Sequence, residues 1–239
     1  MSGHSHFKTV AATKNANDAK RGKIFSKLGR VITIIAKEKG GDIITNAALK
    51  TAIEKAKGFN MPKENIERAI KKGTGELAGE ALEEVSFEAL GPGGAAIIMS
   101  GITDNKNRTL GEIKGIVGQH GGKLAGEGAV RWMFAKKGFM AADSQGKSKE
   151  ELELLAIESG AQDVVWNNNK LQIYTAPEDF ETVKKAFEQK GIVLESASLD
   201  WVANEEITVN DKDKTKLQAL FEALDENDAV QDIYSNLKN

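Results

Sequence analysis

Five cations recur along one flank of the stretch Asp18 to Lys39, DAKRGKIFSKLGRVITIIAKEK: Lys20, Lys23, Lys27, Arg30 and Lys37. At about 100° per residue they share one side of a helix, while Ile24, Phe25, Leu28, Val31, Ile32, Ile35 and Ala36 share the other. Arg21 falls toward the apolar side, Ile34 falls among the cations, and Gly29 weakens the helix interior. Such a row can neutralise a polyanion, because each ammonium or guanidinium that meets a phosphate releases a counterion. An ordinary solvated helix face also carries charges, and local sign separates the two readings. Residues 1–75 hold sixteen Lys and Arg against six Asp and Glu, a balance of +10, whereas residues 76–239 carry −12, giving the net −2 of the whole chain. Polarity between halves of this kind marks a basic nucleic-acid-binding arm on an acidic body. The residues expected to bind nucleic acid are Lys14, Lys20, Arg21, Lys23, Lys27 and Arg30. Lys71 and Lys72 join them from the last turn of a later helix, a position that complementarity to the helix dipole by itself explains better.

A second constellation is the polar run Thr103-Asp104-Asn105-Lys106-Asn107-Arg108-Thr109, placed between a strand end and a helix start. Free N–H groups at a helix N-terminus can hold an anion, which makes Asn105 and Arg108 a candidate anion-binding loop. The equal alternative is that Asp104 or Asn105 caps the helix and Arg108 forms a structural ion pair.

Catalytic chemistry finds no support. Cysteine is absent and the three histidines are His4, His6 and His120, so no metal site and no catalytic residue is expected. Gly146-Lys147-Ser148 ends like a phosphate-binding loop, but the required first glycine would be Ala141; Gly126-Glu127-Gly128 begins like a dinucleotide fingerprint, but the third glycine position is Arg131. No cofactor is implied. No run of eighteen apolar residues exists, and the N-terminus MSGHSHFKTV lacks the apolar core of a secretory signal, so a cytoplasmic protein with no membrane partner is expected.

Three helices position the cations. Gly40-Gly41-Asp42 ends the first, Asn46 caps a second in which Ala48, Leu49, Ala52, Ile53 and Ala56 repeat at helical spacing, and Pro62 opens a third that Gly73 closes. Composition turns acidic and β-branched near residues 73–80. Strands are predicted at 85–90 and 95–102 around Gly91-Pro92-Gly93-Gly94, a helix over 108–120 and a strand over 130–134. From Gly138 the pattern is strand 139–142, helix 149–159, strands 163–166 and 171–175, helix 178–190 and strand 192–202, the βαββαβ order of a ferredoxin-like unit. Thr175 and Glu178 have capping-box spacing. The remainder, a helix over 214–224 and a strand over 230–234, is too short to stand alone and is expected to complete the sheet begun at Val85.

Taken together, Gly3-His4-Ser5, the run Asp18 to Phe25, Met61-Pro62-Lys63, Asn65 to Gly73, Gly91-Pro92-Gly93-Gly94 and Thr103 to Thr109 resemble the YebC family across essentially the whole chain. The resemblance implies an α+β protein of three domains: a basic N-terminal arm and three-helix domain (1–76), a discontinuous middle α/β domain (80–135 and 204–239), and an inserted domain (136–203). Both α/β domains are expected to be of the ferredoxin-like βαββαβ type. It also implies a cytoplasmic, non-enzymatic regulator of gene expression. Bacterial members are described as DNA-binding transcriptional regulators; others act on the ribosome and its RNA to relieve stalling, and a mitochondrial relative activates translation. The implied partner is therefore DNA or ribosomal RNA, with the ribosome as the alternative and a protein-interaction adaptor as a further one. Oligomeric state stays open, with a monomer favoured. The usual Lys-Trp after the Gly-His-Ser motif is His6-Phe7 here, followed by Ala11-Ala12-Thr13, which removes charge from the arm.

Overall fold

The computed structural model describes residues 5–7, 18–79, 81–144, 146–167 and 169–238, with side chains from Arg21 onward. Among them the chain is α+β, with seven α-helices and two sheets. It divides into two compact units, one built mainly of residues 131–207 and the other of residues 6–130 and 208–235.

The larger unit begins with strand β1 (Ser5–Phe7) and three helices, α1 (Asp18–Lys39), α2 (Ala47–Gly58) and α3 (Lys63–Thr74). Asn46 caps α2 as its sequence position suggests: its side-chain oxygen accepts from the Leu49 N–H at 3.0 Å, and its amide nitrogen donates to the Gly40 carbonyl at 2.7 Å, tying α2 to the end of α1. Leu28, Ile32 and Ala36 of α1 bury with Leu49, Ile53 and Ala56 of α2 and Ile66 and Ala69 of α3. This is the apolar face expected from the periodicity.

Gly73 does not close α3. The helix continues to Thr74, and Gly75 supplies the left-handed turn at φ +82°. Gly73 instead lets two helices touch, since a Cβ there would collide with the Thr33 carbonyl oxygen of α1. Thr33 fixes the same contact by donating its hydroxyl to the Ala69 carbonyl at 3.0 Å.

The sheet of this unit has the order β1-β9-β3-β2-β4, where β2 is Glu83–Leu90, β3 Ala96–Thr103, β4 Lys123–Ala125 and β9 Val230–Ser235. A hairpin through Pro92–Gly94 pairs β2 with β3 from Glu83↔Thr103 to Leu90↔Ala96, and β9 returns from the far end of the chain to pair antiparallel with β3. Helix α4 (Lys106–Gln119) packs against α7 (Asp211–Asp225), and both contact the sheet. The order of elements is therefore hairpin, helix, strand, then a helix and strand that follow the residues of the smaller unit. It corrects the expected βαββαβ type for this part, because β2 leads directly into β3 with no helix between them. The predicted strand at 130–134 is also corrected. Arg131–Met133 form a 3-10 turn and the strand starts at Phe134. The buried Glu88 carboxylate of β2 accepts from the Gly128 and Val130 N–H groups at 2.8 Å each, so this segment meets a carboxylate where a strand would meet a ladder.

The smaller unit runs β5 (Phe134–Asp143), α5 (Lys149–Glu158), β6 (Asp163–Asn167), β7 (Lys170–Thr175), α6 (Phe180–Gln189) and β8 (Leu194–Ala203). Its strands are antiparallel in the order β6-β7-β5-β8, the split βαβ arrangement. Met140 and Ala142 of β5 alternate inward with Leu171 and Ile173 of β7 against Leu152, Ala156, Val183 and Phe187 of the two helices. The capping box lies elsewhere than expected. Thr175 is buried and turns its hydroxyl to the Ala176 carbonyl at 2.8 Å, while Ser148 and Glu151 form the reciprocal box at the start of α5. The serine of the rejected phosphate-loop look-alike is thus a helix cap.

Candidate nucleic-acid interface

Helix α1 packs on two flanks rather than one. Ile34, the apolar residue among the cations, is buried with Leu82 and Ile102 of the sheet region. That contact turns the expected polyanion-facing row toward the body of its own unit. Lys27 is 4% exposed; its ammonium donates to the Asp225 backbone oxygen at 2.7 Å and pairs with the Asp225 carboxylate at 3.0 Å. Lys23 pairs with Glu226, Arg30 donates to the Ile102 carbonyl at 2.8 Å, and Lys37 donates to the Leu82 carbonyl at 2.9 Å. The row does meet negative charge and dipoles, but they belong to this chain. For Lys27 the expectation of an outward-facing cation is overturned, because apolar packing at Ile34 carries its neighbour on the helix surface indoors. Lys23 and Arg30 are partly committed in the same way.

The electrostatics agree. The hydrogen bond that Lys23 donates to the Glu226 carboxylate holds its ammonium above the ordinary pKa. Burial pushes the Asp225 carboxyl up, and the opposing pull of Lys27 does not bring it back to the usual range. Desolvation is thus the larger effect in this pair.

The polar loop before α4 is likewise occupied by its own partners. Asn105 caps α4, its side-chain oxygen accepting from the Arg108 N–H at 3.0 Å. Arg108 pairs with Asp104 at 2.6 Å and with Glu112 at 3.7 Å. For Asp104, burial works upward but is outweighed by its own backbone N–H and the Arg108 guanidinium, so its carboxyl lies below the ordinary value. Asn105 and Arg108 therefore have structural duties, and the N-terminus of α4 is capped rather than open. Arg108, Lys23 and Arg30 line one small cleft of about 300 Å³ together with Glu112, Glu226 and Asp228. Its charges balance.

On the other side of α1, facing α3, lies a larger cleft of about 440 Å³. Arg30, Arg68 and Lys72 give it three cations, Ser26, Asn65 and Thr33 give it neutral polar groups, and Phe25, Met61 and Leu82 give it apolar wall. Among the described residues, no Asp or Glu lines it. Arg68 and Lys72 are exposed and, among the described residues, neither has an ion-pair partner. Arg21 stacks its guanidinium 5.9 Å from the Phe25 ring centre, which extends positive charge along the rim. Lys71 is exposed in the last turn of α3. Lys14 and the side chain of Lys20 lie outside the described residues.

Of the expected cations the structure thus brings Arg30 and Lys72 into one open cleft, adds Arg21 beside it, and commits Lys23 and Lys27 elsewhere. Arg68 was missed. Its signal was its spacing four residues before Lys72, which places both on one face of α3. Gly29, marked in the sequence only as a weak helix residue, lines the same cleft.

Among the described residues no helix is long and apolar enough to cross a membrane, and no group of three or more His, Asp or Glu is arranged to hold a metal ion.

Comparison with known proteins returns one answer over the whole length. Residues 5–76 match the TACO1/YebC protein N-terminal domain, and residues 82–237 match the TACO1/YebC second and third domain. A "probable transcriptional regulatory protein" of Thermoanaerobacter pseudethanolicus is 46% identical, covering 100% of this chain and 97% of that protein. One of the same description from Geobacillus kaustophilus is 44% identical over 99% of this chain and 97% of its own. The crystal structure of a conserved hypothetical protein from Aquifex aeolicus superposes with a TM-score of 0.83 at 41% identity, covering 95% of this chain and 96% of that one. With both domain models and full-length relatives in agreement, the chain belongs to the TACO1/YebC family.

Proposed function

We infer that the protein is a cytoplasmic, non-enzymatic regulator of gene expression that binds nucleic acid through the cations of its N-terminal helical region. The descriptions of the relatives support the regulatory role. The observation that carries the binding role is the cleft between α1 and α3, where Arg68 and Lys72 stand exposed beside Arg30 and no carboxylate is found among the described lining residues. Around Lys23 and Arg108, by contrast, cations are matched by acids. The contacts are to phosphate and position the protein without reading sequence. Arg21, Arg30, Lys71 and Lys72 are the contact residues retained from the sequence, joined by Arg68, with Lys14 and Lys20 as further contacts. The acidic remainder of the chain orients the complex by repelling phosphate.

The test is the salt dependence of affinity for a labelled oligonucleotide, read by fluorescence anisotropy. Each phosphate contact contributes a slope of roughly −0.9 on duplex and −0.7 on single strands in log affinity against log salt. Replacing Arg68, Lys71 and Lys72 together by Ala should shallow the slope by about 2 to 3. A slope identical to that of the unaltered protein would remove this surface from the interface.

A further inference from the structure

We propose that the cleft between α1 and α3 receives one unpaired nucleotide, so that the protein prefers single-stranded nucleic acid to duplex. The inference rests on the nucleic-acid reading above and names the form of the partner. Three features of the cleft carry it. Its volume, about 440 Å³, is of the size that encloses a nucleotide-sized group and far too small to admit a duplex. Its cations are paired with an apolar wall, Phe25 and Met61, which phosphate alone would not require and which the face of a base does. Asn65, also in the lining, carries an amide that can both donate and accept at a base edge or sugar hydroxyl.

A surface that used charge alone would favour the duplex, whose phosphates are denser. Preference for the single strand is therefore a readout that simple attraction cannot mimic. The balanced cleft on the opposite side of α1, where Glu112, Glu226 and Asp228 face the cations, has no such use.

Gly29 offers a way to fill the cleft without unfolding the helix. A Cβ at this position meets only the Met61 methyl, at an ordinary 3.7 Å. A helical side chain covers the turn before its own Cα, so Gly29→Leu places its branch over Phe25 and Ser26 and occupies the cleft. Replacing a mid-helix glycine also raises helix propensity.

The full chain is titrated against a fluorescein-labelled twelve-nucleotide strand of mixed sequence, as RNA and as DNA, and against the same strand annealed to its complement. The expected result is single-strand affinity about tenfold above duplex, the scale of one stacked base. In Gly29→Leu that ratio should fall to one or below while the melting temperature stays level or rises. Equal affinity for strand and duplex in the unaltered protein, or an undiminished preference in folded Gly29→Leu, would overturn the proposal. Tight duplex binding without single-strand preference would overturn it while leaving the broader reading in place, whereas absence of binding to every probe would overturn both.

Discussion

Cations gather along two flanks of α1, one row on the helix itself and one contributed by α3, and they have opposite fates. On the flank facing the sheet, Lys23, Lys27, Arg30 and Lys37 each find an oxygen of this chain. On the flank facing α3, Arg68 and Lys72 of α3 stand around a cleft in which no carboxylate is found among the described lining residues. A count of charges along the helix cannot separate these cases. Whether a cation serves cohesion or recognition depends on what the fold brings opposite to it, and here Ile34 decides: one buried isoleucine among the cations obliges that flank to pack.

The largest expected effect comes from breaking the cohesive flank. Lys27→Ala should lower unfolding free energy by about 2–4 kcal/mol, because it strands the Asp225 carboxylate in a half-buried site. Urea denaturation measures this, and the double variant with Asp225→Ala should cost less than the sum of the two single changes. If Lys27→Ala instead leaves stability unchanged and abolishes nucleic-acid binding, the assignment of the two flanks is reversed.

Gly73→Ala should come next, at about 1–3 kcal/mol, since the added methyl would collide with the Thr33 carbonyl and force α1 and α3 apart. Because Thr33 also lines the cleft, single-strand affinity should fall with it. Asn105→Ala removes the α4 cap and should cost about 1 kcal/mol while leaving affinity and its salt slope unchanged. A loss of affinity in that variant would restore the loop before α4 as an anion site. Arg68→Ala with Lys72→Ala should move stability by no more than about 0.5 kcal/mol while weakening binding, the converse of Lys27→Ala.

The finest test uses pH. Burial raises the Asp225 carboxyl in the folded chain, so the native state holds this proton more tightly than the unfolded state does. Native protons then outnumber unfolded ones between the ordinary carboxylate value, about 3.9, and the raised native one. Stability contributed by this group is therefore lost as pH rises through that window. Asp225→Asn should delete this component from a denaturation series across the acidic range. An unaltered pH profile would show that Asp225 is better solvated than its contacts suggest.

The legibility of the molecule in its sequence followed the range of the interactions. Local devices were readable: the periodicity of α1, the Asn46 cap, the breaker turn at Pro92 and the βαββαβ order of the smaller unit all rest on neighbours a few residues apart. Where a local rule had two readings, tertiary context chose. Thr175 had the spacing of a capping box but is buried and spends its hydroxyl on Ala176, while Ser148, passed over with a phosphate-loop look-alike, makes the box with Glu151. Gly73 looked like a helix stop and is a contact point. The cleft itself was half legible. Lys72 and Arg30 were named, Arg68 was not, and nothing local says that two helices separated by α2 will leave a gap between them.

The sequence by itself settled the α+β class, the helical face that packs, the polarity of charge along the chain and the family. Those properties are set by side-chain type and short spacing, which survive without coordinates. Only the tertiary structure decided which cations are available. That choice depends on residues such as Asp225, Glu226 and Ile102, which lie from about seventy to two hundred positions away, and on the low polarity of the contact that Ile34 makes. Charge is written in the chain, but desolvation and partnership exist only once it has folded.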